Sequence, residues 1–253
     1  MHTLVIVLVA ALSGAAYAGI AAVLKVTRGV NEVISTLMLN AVAGGVVAYL
    51  IRSDTFGVLR GSNIGTKEIP PSGWVPGISL GAAGTIFGLV PLVVLVGLGY
   101  WVVINRTRFG FELRASGYSA TAAAAGGVNA KRMILIAMLL SGAVAGLVAM
   151  PGLLGKEHLY SITSTQGYGF TGIAVALLGR NHPAGMAFGA VLWAFLDSSA
   201  VALDNIGVPR EIVTIMQGSI VLSVVAAYEV VRRVELAAEK RRVGRQLVPA
   251  EAA

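Results

Sequence analysis

The sequence predicts an all-α fold, a polytopic bundle of membrane-spanning helices with about seven crossings, and three observations carry that expectation. Of 253 residues, 56% are hydrophobic and 12% charged, and the mean hydropathy is +0.81, well outside the balance of ordinary soluble domains. The apolar residues gather into runs of about 20, the length at which a helix satisfies its own backbone across hydrocarbon. Aromatic residues make up only 7% while glycine reaches 32 residues, the small-residue palette of closely packed membrane helices. These features exclude a soluble enzyme, a disordered chain and a nucleic-acid reader. The chain has no cysteine, which excludes disulfides, thiol catalysis and Cys-based metal sites.

Five apolar runs are bounded by charge, glycine or proline, at 4–23, 33–51, 85–104, 133–154 and 212–231. A sixth, 184–203, is apolar throughout except for Asp197. Between the fourth and the sixth lies the short, glycine-rich 167–179, read as a broken span or a re-entrant turn. Counted as a crossing, it puts 14 of the 19 lysines and arginines on one side, including Lys25, Arg28, Arg106, Arg108, Arg114, Lys131, Arg132, Arg180 and those from Arg232 onward. The positive-inside rule makes that side cytoplasmic, with the N-terminus outside and the C-terminus inside. The expected organisation is a membrane domain over 1–231, with a basic loop at 105–132, and a basic cytoplasmic tail over 232–253 held to anionic headgroups of the membrane lipid. An external N-terminus with no positive residue before the first span points to a missing start. A signal peptide cleaved after Ala16-Tyr17-Ala18 is the alternative, but a charged n-region is absent and the apolar run continues past the site.

Two stretches fall outside the spans. The first, 52–84, reads as an irregular glycine- and proline-punctuated external loop lying on the outer interface, with Trp74 as an aromatic anchor. The second is the basic loop at 105–132. There Ser119 precedes Ala120–Ala125 and then Gly126-Gly127, an N-cap, a short run of strong helix formers and a glycine stop. Such a helix is either a tight loop that happens to be helical or a docking element seated in a groove of a soluble partner. In the second case Arg114, Lys131 and Arg132 supply complementary charge.

The stretch Arg114-Ala115-Ser116-Gly117-Tyr118-Ser119-Ala120-Thr121-Ala122-Ala123-Ala124-Ala125-Gly126-Gly127-Val128 resembles the coupling-helix loop of ABC-importer permeases, which runs R-A-x-G-x-N-P-x-A-A-x-x-A-G-I in the sugar and nucleoside branch. The block from Gly29 to Asn40, G-V-N-E-V-I-S-T-L-M-L-N, is similar to that of the nucleoside and simple-sugar permeases. Gly167-Tyr168-Gly169-Phe170, Gly172 to Asn181 with Pro183, and Gly207-Val208-Pro209 fit the same family, so the resemblance runs along essentially the whole chain. One departure is Ser119-Ala120 where the family carries N-P. Serine still caps, and alanine loses only the preorganisation of proline. Family members usually carry further membrane segments at the N-terminus, in line with a truncated start.

The resemblance implies alternating access. An extracytoplasmic solute-binding lipoprotein delivers solute to a path between two permease subunits, in a homo- or heterodimer, and ATPase subunits beneath drive it through the coupling helices. It assigns Arg114, Gly117, Ser119, Ala122, Ala123 and Gly127 to ATPase docking. The permease itself performs no chemistry and carries no cofactor. In keeping with this, no G-x-x-x-x-G-K-[ST] phosphate loop occurs, and His2, His158 and His182 lie apart on termini or loops without metal-ligand spacing.

Polar side chains inside spans are costly and mark candidate pathway residues. Asn40 falls mid-span with Ser35 five residues earlier, read as lying on overlapping faces. Gln166, Tyr168 and Thr171 offer hydrogen bonds in the short segment, and Phe170 and Tyr168 offer stacking faces for a nucleobase. Asp197 is expected to contact solute hydroxyls or to pair with Arg210. For each polar residue, bonding to a neighbouring helix is the structural alternative. Gly142 with Gly146, and Gly185 with Gly189, are small-xxx-small pairs that mark close helix contacts. The favoured function is the membrane subunit of an ATP-driven importer for nucleosides or simple sugars. An autonomous secondary transporter or channel is the alternative from another class, and a branched-chain amino acid permease is the nearer rival.

Overall fold

The computed structural model describes residues 2–60, 63–79, 85–86, 88–161, 164 and 167–247. The chain divides into two compact units, 1–166 and 167–253.

In the first unit, α1 (His2–Arg28) and α2 (Glu32–Leu50) are joined by a turn at Gly29, whose φ of 67° suits glycine. Helix α1 runs unbroken through Ala16-Tyr17-Ala18. The following segment is more ordered than the irregular loop expected from its glycines and prolines. Strands β1 (Gly57–Arg60) and β2 (Asn63–Thr66) pair antiparallel with Gly57 opposite Thr66. A 3-10 turn at Pro71–Gly73 leads to a small ribbon of β3 (Ile78–Ser79) and β4 (Thr85–Ile86). The third span therefore starts later than the expected residue 85. Helix α3 (Val90–Arg106) begins where Pro91 fits the first turn, whose amide needs no partner within the helix.

Two short helices follow, α4 (Arg108–Tyr118) and α5 (Ala120–Ala125), then α6 (Ala130–Leu147). The expected run to residue 154 falls within one span-length helical stretch, Ala130–Glu157, whose hydrogen-bond ladder changes locally after α6, where Pro151 has no amide to continue it. The chain goes on through a single turn, α7 (Met150–Gly152), and a π-helical turn at Leu153–Glu157. Helix α1 packs along α6 at a glycine seam. A Cβ on Gly14 would collide with the backbone of Gly142 and Gly146, and one on Gly146 with the Ala10 carbonyl, so the backbones touch there, as small-xxx-small pairs allow.

The segment between α2 and α3 packs on the segment after α7. Thr66 N donates to the Tyr160 carbonyl at 2.8 Å, Ile69 N to His158 at 2.8 Å and Val75 N to Leu154 at 3.0 Å. Trp74 stacks on His158 with centroids 4.1 Å apart, and its indole N–H donates to the Ile69 carbonyl at 2.7 Å. Its packing role thus lies within the protein, where the sequence suggested an interfacial anchor.

The second unit contains α8 (Tyr168–Leu178), α9 (Pro183–Asp204) and α10 (Arg210–Leu247). Helix α10 continues without interruption through residues 231 and 232. Among the described residues, five helices are long and apolar enough to cross a membrane, and α3 joined to α4 across a 69° bend makes a sixth. The 11 residues of α8 reach about 16 Å, half of a typical hydrocarbon core. A count of seven crossings therefore requires α8 to act as a half-length span.

Candidate functional site

The basic loop is built as a rigid elbow. Thr107 caps α4 by accepting from Gly110 N at 3.2 Å, and it donates to the Val103 carbonyl of α3. Gly110 is buried in the corner, where a Cβ would strike the Val103 and Ile104 carbonyls. Arg114 donates its guanidinium to the Ile104 carbonyl, an orphan acceptor at the end of α3. The charge read from the sequence as available to a partner thus also ties α4 to α3.

Helix α5 has the bounds expected for it. The Ser119 hydroxyl accepts from Ala122 N at 3.2 Å, and Gly127, at φ 82°, ends the helix while Val128 N reaches back to the Ala123 carbonyl at 2.9 Å. Asn129 then caps α6 by accepting from Arg132 N at 3.1 Å. Because α5 packs on α4 and α6, its residues divide sharply. Ala123 is 6% exposed and faces inward, whereas Gly117, Ala122 and Gly127 are exposed along with Thr121, Ala124 and Ala125. Tyr118, which sequence reasoning passed over, is 91% exposed at the junction of α4 and α5.

The block around Asn31 resolves into a helix start. The Asn31 carboxamide accepts from Val33 N at 2.8 Å, Glu32 pairs with Lys25 at 2.6 Å, and Ser35 and Thr36 donate to the Glu32 carbonyl. Ser35, 5% exposed, is therefore absorbed into its own helix. Five residues rotate a helix by about 140°, so Asn40 lies on a different face from Ser35 and the two do not overlap as expected. Asn40 is exposed, with no side-chain partner among the described residues.

In the second unit, Gly167 at φ 87° precedes α8, and Tyr168 and Phe170 are both exposed on its first turn. Gln166 lies outside the described residues. Helix α8 ends in a tight turn with Arg180 and Asn181 left-handed at φ 55° and 54°. The Arg180 guanidinium sits 4.4 Å from the centroid of the Tyr228 ring. Helices α9 and α10 form a hairpin closed at Gly207, φ 86°, with Val208 N donating to the Leu203 carbonyl at 3.0 Å.

This hairpin sets the partner of Asp197. The expected pairing with Arg210 does not form, because the turn places Arg210 opposite Asp204, its Nε 2.7 Å from Asp204 Oδ2. Asp197 Oδ1 instead accepts from Gln217 Nε2 at 2.7 Å. Gln217 is 6% exposed, and sequence reasoning missed it, although an amide within an apolar span is itself a signal. An aspartate near a helix centre costs about 2.5 to 3.5 kcal/mol on insertion scales, whereas a side-chain hydrogen bond within a membrane contributes about 0.6 kcal/mol on average. Gln217 alone does not offset the carboxylate.

Ser35, Asn40 and the elbow belong to the first unit, and Tyr168, Phe170 and Asp197 to the second. The helices define a multi-pass membrane protein bearing a capped, small-residue helix on a basic elbow. The chain belongs to the family of permease components of branched-chain amino acid transport systems, whose model matches residues 1–225. It is 33% identical over 238 residues to the guanosine ABC transporter permease protein NupP of Bacillus subtilis, covering 91% of this chain and 66% of that one. Over 234 residues it is 28% identical to the nucleoside ABC transporter permease protein NupB of Lactococcus lactis, covering 88% of this chain and 63% of the relative. The glucose ABC transporter permease protein TsgB13 of Haloferax volcanii is 33% identical over 234 residues, covering 87% of this chain and 60% of its own length. The chain thus spans somewhat under two thirds of the curated relatives it matches. No solved structure matches it significantly.

Proposed function

We propose that this chain is the membrane-spanning subunit of an ATP-binding-cassette importer that moves nucleosides or simple sugars by alternating access. The single observation that carries the reading is the elbow. A six-residue helix is capped at both ends and packs on α4, which Arg114 and Thr107 pin to the end of α3, and all of its residues but Ala123 are exposed. A rigid lever of that kind transmits the movement of a docked ATPase into the spans, a job that a secondary transporter does not need. The names of the relatives support the choice of solute.

Arg114, Gly117, Ser119, Ala122, Ala123 and Gly127 form the docking element in this reading. The exposed Ala122 face makes the contact, and the buried Ala123 shapes the helix beneath it. Asn40, Tyr168, Phe170, Gln166 and Asp197 serve the solute path, with Ser35 holding the start of α2. ATP hydrolysis belongs to separate subunits. A second permease subunit completes the path, and an extracytoplasmic binding lipoprotein delivers the solute. The lysine and arginine bias supports a cytoplasmic elbow and C-terminus.

The test is uptake of labelled adenosine, ribose and leucine by membranes holding the whole transporter, with Ala122→Glu in parallel. ATP-dependent uptake of adenosine or ribose, abolished by Ala122→Glu together with ATPase retention, is the expected result. ATP-independent uptake with no ATPase retained overturns the reading. Preferred uptake of leucine moves the solute to the branched-chain amino acid class named in the family description.

A further inference from the structure

Across the α9–α10 hairpin, polar side chains face each other at two levels. At the rim beside the turn, Arg210 meets Asp204 at 2.7 Å, and both are well exposed. Seven residues deeper on each helix, Gln217 meets Asp197, also at 2.7 Å. Seven residues are two turns, so the inner pair lies about 10 Å inside the rim on both helices.

The two levels differ in chemistry. At the rim a cation neutralises the carboxylate. At the inner level a neutral amide satisfies one oxygen and leaves the charge in place. The burial is also one-sided, because Gln217 is closed off while Asp197 stands on the exposed side of α9. Gln217 thus grips Oδ1 from behind. Oδ2 accepts no hydrogen bond among the described residues.

We infer that Asp197 recognises the hydroxyl donors of the solute and that Gln217 is its positioning residue. A carboxylate offers only acceptors, so it selects donors such as the vicinal hydroxyls of a ribose or a pyranose. Fixing one oxygen with a buried amide holds the other in a single orientation, which lowers the ordering cost of binding. The inference rests on the transport reading above and deepens it by naming the residue that reads the solute.

The experiment measures initial rates of uptake of labelled adenosine, 2′-deoxyadenosine, ribose and glucose by membranes holding the whole transporter. Wild type is compared with Asp197→Asn, Gln217→Leu and the exchanged double variant D197N/Q217E, with the amount of chain in the membrane read alongside. Gln217→Leu is expected to raise KM about tenfold with a smaller change in kcat, the effect of one lost hydrogen bond on a positioned group. Asp197→Asn is expected to reduce uptake and to narrow the preference for adenosine over 2′-deoxyadenosine. The double variant restores a hydrogen bond across the hairpin with the charge moved to the buried side. It is expected to recover the amount of folded chain but not the uptake.

Recovery of uptake in the double variant shows that the pair only holds the helices together and overturns the inference. Wild-type kinetics in Asp197→Asn overturn it as well. A wild-type transporter that takes up none of the four hydroxylated probes overturns the transport reading itself, and the inference falls with it.

Discussion

The guanidinium of Arg114 donates to the main-chain carbonyl of Ile104, so a basic residue of the elbow fastens α4 to the end of α3. Hydrogen bonds from charged donors contribute about 1.5 to 3 kcal/mol. Arg114→Ala is expected to speed amide exchange in α4 by about tenfold, the equivalent of about 1.4 kcal/mol, with α1 and α6 unchanged. Uniform exchange across all three helices would contradict the local role. Arg114→Lys is expected to recover only part of the protection, since a point charge does not reproduce the planar fork.

The α1–α6 seam makes a different demand. Gly14, Gly142 and Gly146 bring two backbones together where a side chain does not fit. Gly146→Leu is expected to destabilise the chain by about 1 to 3 kcal/mol, and by more where the helices cannot move apart. Thermal unfolding of the purified protein in detergent measures this. Gly97→Leu in α3 is the control, because a Cβ there meets nothing within 4 Å.

The loop between α2 and α3 is held by the Trp74–His158 stack and by main-chain bonds to the segment after α7. Trp74→Ala removes the stack and the indole bond to Ile69 together. Limited proteolysis is expected to cut within 52–79 several times faster in this variant, while Trp101→Ala in α3 leaves the loop protected. Equal cleavage rates for Trp74→Ala and wild type would contradict the packing role.

The inner polar pair of the second unit is measurable without any solute. A double-mutant cycle on Asp197→Ala and Gln217→Ala is expected to give a coupling of about 0.6 to 1.7 kcal/mol in detergent-solubilised protein. A cycle on Asp197 and Arg210 is expected to give none, since Arg210 pairs with Asp204. A larger coupling between Asp197 and Arg210 would contradict the register of the hairpin.

Much of this fold could be read from hydropathy, because runs of about 20 apolar residues leave a chain in lipid few alternatives to helix. The cap of α5 was legible for the same kind of reason, since Ser119 and the paired glycines fix a short helix locally. Helix α4 was not. Its sequence, RFGFELRASGY, mixes charge and glycine with apolar residues, and the signal that could have found it is the capping Thr107. The start of α3 differs from the expected one because Ile86 and the apolar residues that follow it in the sequence continue the hydropathy signal, while only Pro91 marks the first turn. The partners of Asp197 and Arg210 depend on how the turn at Gly207 aligns two helices, which no local pattern states. Gln217 was within reach, as a polar side chain in a span, but only the structure shows what it holds.

The chain has no cysteine, so one introduced thiol is unique, and a cross-link from the free face of α5 tests the central claim most directly. In membranes holding the whole transporter, Ala122→Cys treated with a short thiol-reactive cross-linker is predicted to join the chain to an ATPase subunit, with a yield that changes when ATP is added. Ala123→Cys, on the buried face, is predicted to give little product. No cross-link from Ala122→Cys to any ATPase subunit, in a preparation that still transports, would contradict the account.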